Sequence, residues 1–118
     1  MAEDIKIMVA AIKEWGKSQL SGKAFNTMIG PVVITMRGIK EIINQPHQFH
    51  REKLMALYDI EQLLAIAEFV KTMPDSKDRP FVWYYLKIII AENDSYLVVR
   101  EDIQSGIKIL YSIVDNIK

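Results

Sequence analysis

Two histidines and a carboxylate, His47, His50 and Glu52 in the stretch HQFHRE, are the residues of this chain best equipped for metal chemistry. A spacing of three on a helix sets both imidazoles on one face, and imidazoles bind zinc or nickel. With Glu52 they make an open catalytic site on paper. The chain holds no other histidine and no cysteine, so the further ligand of a typical site is missing. A polar first helical turn is the preferred reading. No metal and no other cofactor is expected.

Paired carboxylates are the next candidates, since general acid–base chemistry uses them. Glu101 and Asp102 are adjacent, and adjacent residues do not face each other on a helix. A place in a first helical turn, at the positive end of the macrodipole, accounts for them. The serines and threonines form no nucleophile elbow. The glycines form neither a phosphate-binding loop nor a dinucleotide fingerprint. The expectation is a protein that is not an enzyme and takes no small-molecule substrate.

Basic residues offer a different chemistry. Lys13, Lys17, Lys23, Arg37 and Lys40 make the first 43 residues mildly basic, with six basic residues against four acidic. Clustered cations can hold a phosphate backbone. Over the whole chain, however, 15 Lys and Arg balance 15 Asp and Glu, for a formal net charge of zero. A solvated lysine face is preferred, with nucleic-acid binding as the alternative. Trp83, Tyr84 and Tyr85 belong to residue types favoured at interface hot spots, beside the plainer reading of core packing.

The elements that position these groups are read from periodicity. Ile5, Met8, Val9, Ile12 and Trp15 mark one face of a helix over about 4–20. A short helical turn is expected at 24–29. Gly30-Pro31 breaks it, and Val32, Met36, Ile39 and Ile43 give a second helical stripe. From about Pro46 to Met73 one long helix is expected, bent near Asp59. Its stripe is Ile60, Leu63, Leu64, Ala67 and Val70, while Glu52 and Lys53 interrupt the upstream part.

The stretch FVWYYLKIII, residues 81–90, is the densest apolar run. Its residues favour strands. Pro80 at a first helical position, a run reaching Asn93, and the lack of a convincing sheet partner favour a buried helix. Val99, Ile103, Ile107, Leu110, Val114 and Ile117 complete a last helix over about 96–117. The expected fold is therefore all-α, a single-domain bundle of about five helices over residues 1–118. The alternative is α+β, with strands near 31–36 and 81–90. The expected core is Ile12, Met36, Ile39, Leu63, Leu64, Ala67, Leu86, Ile89, Ile103, Leu110 and Val114.

Half of the 118 residues are hydrophobic and a quarter are charged, the balance of an ordinary globular domain. The N-terminus lacks the pattern of a signal peptide, and no run reaches the length of a membrane span. A cytoplasmic protein without membrane contact is expected. Its function is expected to be non-catalytic, that of a regulator or assembly subunit acting through protein–protein contacts. A homodimer is expected through the edge of the last stripe, at Ile109, Tyr111 and Ile113. In size and composition the chain is similar to small helical subunits of larger assemblies and to small helical proteins of viruses and mobile elements. No motif carries that similarity further. The alternative function is a nucleic-acid-binding accessory protein or a subunit of a ribonucleoprotein or viral assembly.

Overall fold

The computed structural model describes residues 2–117 and shows an α+β fold, not the expected helical bundle. Helix α1 spans Ala2–Gln19, and a hairpin of β1 (Ala24–Thr27) and β2 (Gly30–Val33) follows. Then come α2 (Met36–Asn44), α3 (His50–Ala56), a single 3-10 turn at Leu57–Asp59, and α4 (Ile60–Ile66). The chain ends in four strands: β3 (Glu68–Pro74), β4 (Phe81–Ile90), β5 (Asn93–Asp102) and β6 (Lys108–Val114). The six strands form one curled sheet in the order β1-β2-β6-β5-β4-β3. All neighbours are antiparallel except β2 and β6, which pair in parallel at Val33 and Ile109.

Three of the expected helices survive at least in part, while the helical turn expected at 24–29 is strand β1 and the turn after it. The stripe of α1 is correct: Ile12 is buried, while Ile5, Met8, Val9 and Trp15 pack against the core. Helix α2 begins later than expected. Thr35 caps it from an extended conformation, accepting a hydrogen bond from Gly38 N–H at 3.0 Å. The expected long helix from Pro46 starts only at His50, breaks at the 3-10 turn that contains Asp59 and ends at Ile66, and its residues from Glu68 on belong to strand β3. The expected helices at 80–93 and 96–117 are the central strands β4, β5 and β6. The apolar run at 81–90 does have a sheet partner, namely the residues directly after it. Ile90 pairs with Asn93 across a two-residue turn.

The helices cover one face of the sheet. Across β4 and β5 the pairs Tyr84–Val99 and Leu86–Leu97 lie on that face, as does Leu97–Ile113 across β5 and β6. They pack against Ile39, Ile42, Leu54, Leu57, Ile60 and Leu64 from the helices. Of the expected core, Ile12, Ile39, Leu64, Ala67, Leu86 and Leu110 are buried, and Met36 and Leu63 are partly so. Ile89 and Ile103 are more than half exposed. Strand alternation turns Ile89 to the uncovered face, and Ile103 sits in the β5–β6 turn. Among the described residues no helix is long and apolar enough to cross a membrane.

Candidate functional site

The face of the sheet opposite the helices holds the chain's most distinctive surface. Period-two alternation puts Phe81, Trp83, Tyr85 and Lys87 on it from β4. The facing residues of β5 are Asp102, Arg100, Val98 and Tyr96, and β6 adds Tyr111, Ser112 and Val114. A shift of register between Val98 and Val99 gives β6 an extra residue opposite them. Tyr111 falls in this bulge, and its ring meets Trp83 edge-on at 5.0 Å. Bulges re-aim side chains in this way. Arg100 lies over the Phe81 ring at 4.3 Å and near the Tyr111 ring at 5.6 Å.

A groove of about 600 Å³ runs along this surface. Trp83, Tyr85, Tyr111 and Met73 line it, with Val98 and Ser112 among them. Both Val98 and Ser112 are buried, and Ser112 Oγ has no hydrogen-bond partner among the described residues. Buried hydroxyls are normally satisfied, so this one stands out. Gln45, Pro46, Asp115 and Asn116 also line the groove, as do Asp75, Ser76 and Arg79.

Asp75 organises one part of this lining. Its side chain is 1% exposed, and it accepts five hydrogen bonds. Arg79 binds it through two nitrogens, Nε at 3.0 Å and Nη2 at 2.9 Å. Trp83 Nε1–H donates at 3.0 Å, and the backbone N–H groups of Lys77 and Arg79 complete the set. The Arg79 guanidinium, against the opposing effect of burial, holds the Asp75 carboxyl far below the usual carboxylate range. Trp83 and the backbone donors add to this. A depressed carboxyl stabilises the fold above its unfolded pKa of about 4, and that contribution fades as pH falls toward the folded value. Asp75→Asn should therefore lower stability at pH 7 and flatten its decline below pH 4. Urea denaturation at pH 7, 4 and 3 checks this; parallel curves for the two proteins would remove the claim.

A second polar cluster contains a serine, a histidine and an aspartate. His47 Nε2 lies 2.9 Å from Ser95 Oγ and 2.9 Å from Asp115 Oδ1. His47 Nδ1 accepts the Phe49 backbone N–H at 2.9 Å. A hydrolytic triad needs the carboxylate at Nδ1 and the serine at Nε2. Here both oxygens crowd Nε2, and Nδ1 is already an acceptor, so the ring proton resides on Nε2. A protonated Nε2 cannot take the Ser95 proton, and Ser95 is 1% exposed. Burial pushes the His47 pKa down, with Asp115 opposing, which keeps the ring neutral near pH 7. The cluster ties the loop before α3 to β5 and to the end of β6. Gln48 N–H, donating to Asp115 Oδ2 at 3.0 Å, is a further tie.

His47 is buried with both nitrogens engaged, His50 opens α3, and Glu52 is exposed. Glu101 and Asp102 end β5 rather than opening a helix. Glu101 accepts from Tyr84 Oη and lies 3.7 Å from Lys108 Nζ, while Asp102 caps the following turn through Gln104 N–H. Lys13, Lys17, Lys23, Arg37 and Lys40 are all exposed, on α1, α2 and the loop between α1 and β1, away from the groove. Ile109 and Tyr111 reach the open face. Ile113 is fully buried in the core and has no surface to offer a partner copy. Sequence reasoning missed Asp75, Arg79, Arg100, Ser112 and Asp115. The alternation Phe81, Trp83, Tyr85 was the available signal, legible once the segment is taken as a strand.

A family model described as large polyvalent protein-associated domain 3 matches residues 3–111, nearly the whole chain. The chain belongs to this family. No curated protein and no solved structure matches it. This member of the family has a helical layer, a six-stranded sheet and an uncovered aromatic face.

Proposed function

We propose that this domain is a non-catalytic binding module that engages a protein partner through the open face of its sheet. The single observation behind this reading is the groove, with its aromatic lining and its buried, unpartnered Ser112 hydroxyl. Tyr and Trp supply large contact area at low conformational cost, which suits them to interfaces. The wiring of His47, Ser95 and Asp115 supports a structural role for the cluster that most resembles catalytic machinery. The family description, a domain associated with large polyvalent proteins, fits a module that works within larger assemblies, and a viral or mobile-element assembly is one such setting.

The sheet edges support the open face as the contact. Strand β3 is an outer strand, but it carries Glu68, Lys71, Pro74 and a register shift between Phe69 and Lys71. Charge, proline and bulges all discourage edge-to-edge pairing. The test is site-specific photo-crosslinking in the native host. A crosslinker at Tyr85 should trap a protein partner, and one at Lys17 on the helical layer should not. A product twice the mass of the chain identifies the partner as a second copy. Crosslinking confined to position 17 overturns the reading.

Nucleic-acid binding is the second reading. None of the cations Lys13, Lys17, Lys23, Arg37 and Lys40 takes part in an ion pair among the described residues. A salt series of oligonucleotide binding decides it, because phosphate contacts collapse as salt rises.

A further inference from the structure

We propose that the groove receives a basic side chain, lysine or arginine, presented by a segment of the partner protein. This rests on the binding-module reading and names the chemistry of the partner.

Two oxygens of residues in the groove lining lack a hydrogen-bond partner among the described residues. Ser112 Oγ is one, on a residue only 3% exposed; Asp115 Oδ1 is the other. Asp115 Oδ1 lies 2.9 Å from His47 Nε2 yet receives no well-aligned hydrogen bond from it. An ionised carboxylate only accepts, so an occupant must bring donors to it. An ammonium or guanidinium brings several.

The other charges in the lining are already committed. The Asp75 carboxylate is saturated by Arg79 and Trp83, and Arg79 is in turn neutralised by Asp75. Asp115, whose side chain is 22% exposed, is therefore the carboxylate left to meet an occupant, with the His47 ring and the buried Lys53 ammonium on its inner side. A phosphate placed here would meet that carboxylate, while Arg79 is held in a two-point pair with Asp75. A cation meets complementary charge.

The walls suit the same occupant. Aromatic ring faces attract cations through their quadrupole. The open face already does this with its own chain, since Arg100 stacks over Phe81 and approaches Tyr111. Trp83 and Tyr85 offer further rings within the groove. Met73 and Val114 supply apolar surface for an aliphatic stem, and lysine and arginine bury such stems while the charged head seeks polar partners. A volume of about 600 Å³ accommodates a long side chain together with part of its backbone.

The test is a titration of the whole isotope-labelled protein, followed by amide and indole N–H resonances. The probes are capped peptides of about ten residues with one central lysine, arginine, acetyl-lysine or glutamine in a Gly/Ser background, and single-stranded oligonucleotides. Lysine and arginine peptides should shift the Ser112 amide and the Trp83 indole. Acetyl-lysine and glutamine peptides should bind at least about tenfold more weakly, the scale of a desolvated cation–π contact with its carboxylate partner. Asp115→Asn and Tyr85→Ala should each weaken lysine-peptide binding. Tyr85→Ala serves even if Asp115→Asn disturbs the Gln48 contact, because Tyr85 lies on a different strand.

Equal binding of the glutamine peptide overturns the proposal. So does an absence of shifts at millimolar lysine peptide. Shifts produced only by oligonucleotides overturn it in favour of a nucleobase in the groove. Crosslinking of a protein partner at Tyr85 together with no preference for basic peptides would retain the binding module and reject the basic side chain.

Discussion

Gly38→Ala should destabilise the domain by about 2–3 kcal/mol, the upper part of the range for overpacking a close-packed site. A Cβ built at Gly38 falls 2.3 Å from the Leu110 carbonyl oxygen and 3.3 Å from Thr35 Oγ1. The first of these is backbone in a strand with neighbours on both sides, so no rotamer change relieves it. Either α2 lifts from β6, opening the core at Ile39 and Ile42, or the β6 ladder distorts. Alanine's better helix propensity, about 1 kcal/mol over glycine, offsets part of the loss and is already included. Gly16→Ala is the matched control. Its Cβ would lie 2.9 Å from Ile39 Cδ1, the flexible tip of a side chain, so the propensity gain and the local crowding should nearly cancel. Urea denaturation of the two variants should show a large drop in midpoint for Gly38→Ala alone. A loss below about 0.5 kcal/mol, ordinary for a surface site, would mean that α2 and β6 do not meet as closely as the structure has them.

Around α2 the spacing of apolar residues also hides the sheet in the sequence. The spacing of Val32, Met36, Ile39 and Ile43 reads as one helix from Pro31, yet only the part after Thr35 is helical. Val32 belongs to the parallel-paired strand β2, whose residues are apolar without alternation. Four residues, Gly-Pro-Val-Val, are too few to declare a two-residue rhythm. The same ambiguity hid β6. The spacing of Val99, Ile103, Ile107, Leu110 and Val114 mimics a helical stripe, but Ile103 and Ile107 belong to an exposed turn. Gly106, at φ 74°, was the signal that the stripe crosses a turn.

The β4–β5 hairpin had no such signal. Its two turn residues, Ala91 and Glu92, have φ of 51° and 65°. Such turns usually announce themselves with Asn-Gly or Asp-Gly. Without that mark, FVWYYLKIII shows no pairing partner in the sequence, and Pro80 together with the run's length to Asn93 then favours a helix. What propensity said about Val, Ile, Trp and Tyr was correct. The aromatic half of the candidate site was therefore present in the sequence as an alternation. Its polar half was not, because Asp75, Ser112 and Asp115 are brought together only by the curl of the sheet.

Raising the pH from about 7.5 to 10.5 should stabilise the wild-type protein relative to Lys53→Met by about 2 kcal/mol, a figure reduced for solvent screening from the full shift. Lys53 seemed to interrupt an apolar stripe. It in fact lies on that stripe, four residues after Phe49 and four before Leu57, and is 0% exposed. Its ammonium donates to the Gln45 carbonyl. Burial pushes its pKa down from 10.5 to about 8, with Asp115 opposing. Between these values the unfolded chain binds more protons than the folded one, so stability rises with pH across that window. Below pH 8 the folded state bears the whole cost of a buried charge. Above about 10.5 the amine is neutral in both states and the cost is gone. Tyr84 titrates with the opposite sign, since its hydrogen bond to Glu101 raises its pKa, but the variant retains that pair and the difference between the two proteins cancels it. Lys53→Met keeps an unbranched apolar stem and removes the amine. Urea denaturation of both proteins at half-unit pH steps yields the difference curve. A flat curve would show an ammonium that stays solvated in the folded state, and would take Lys53 out of the core.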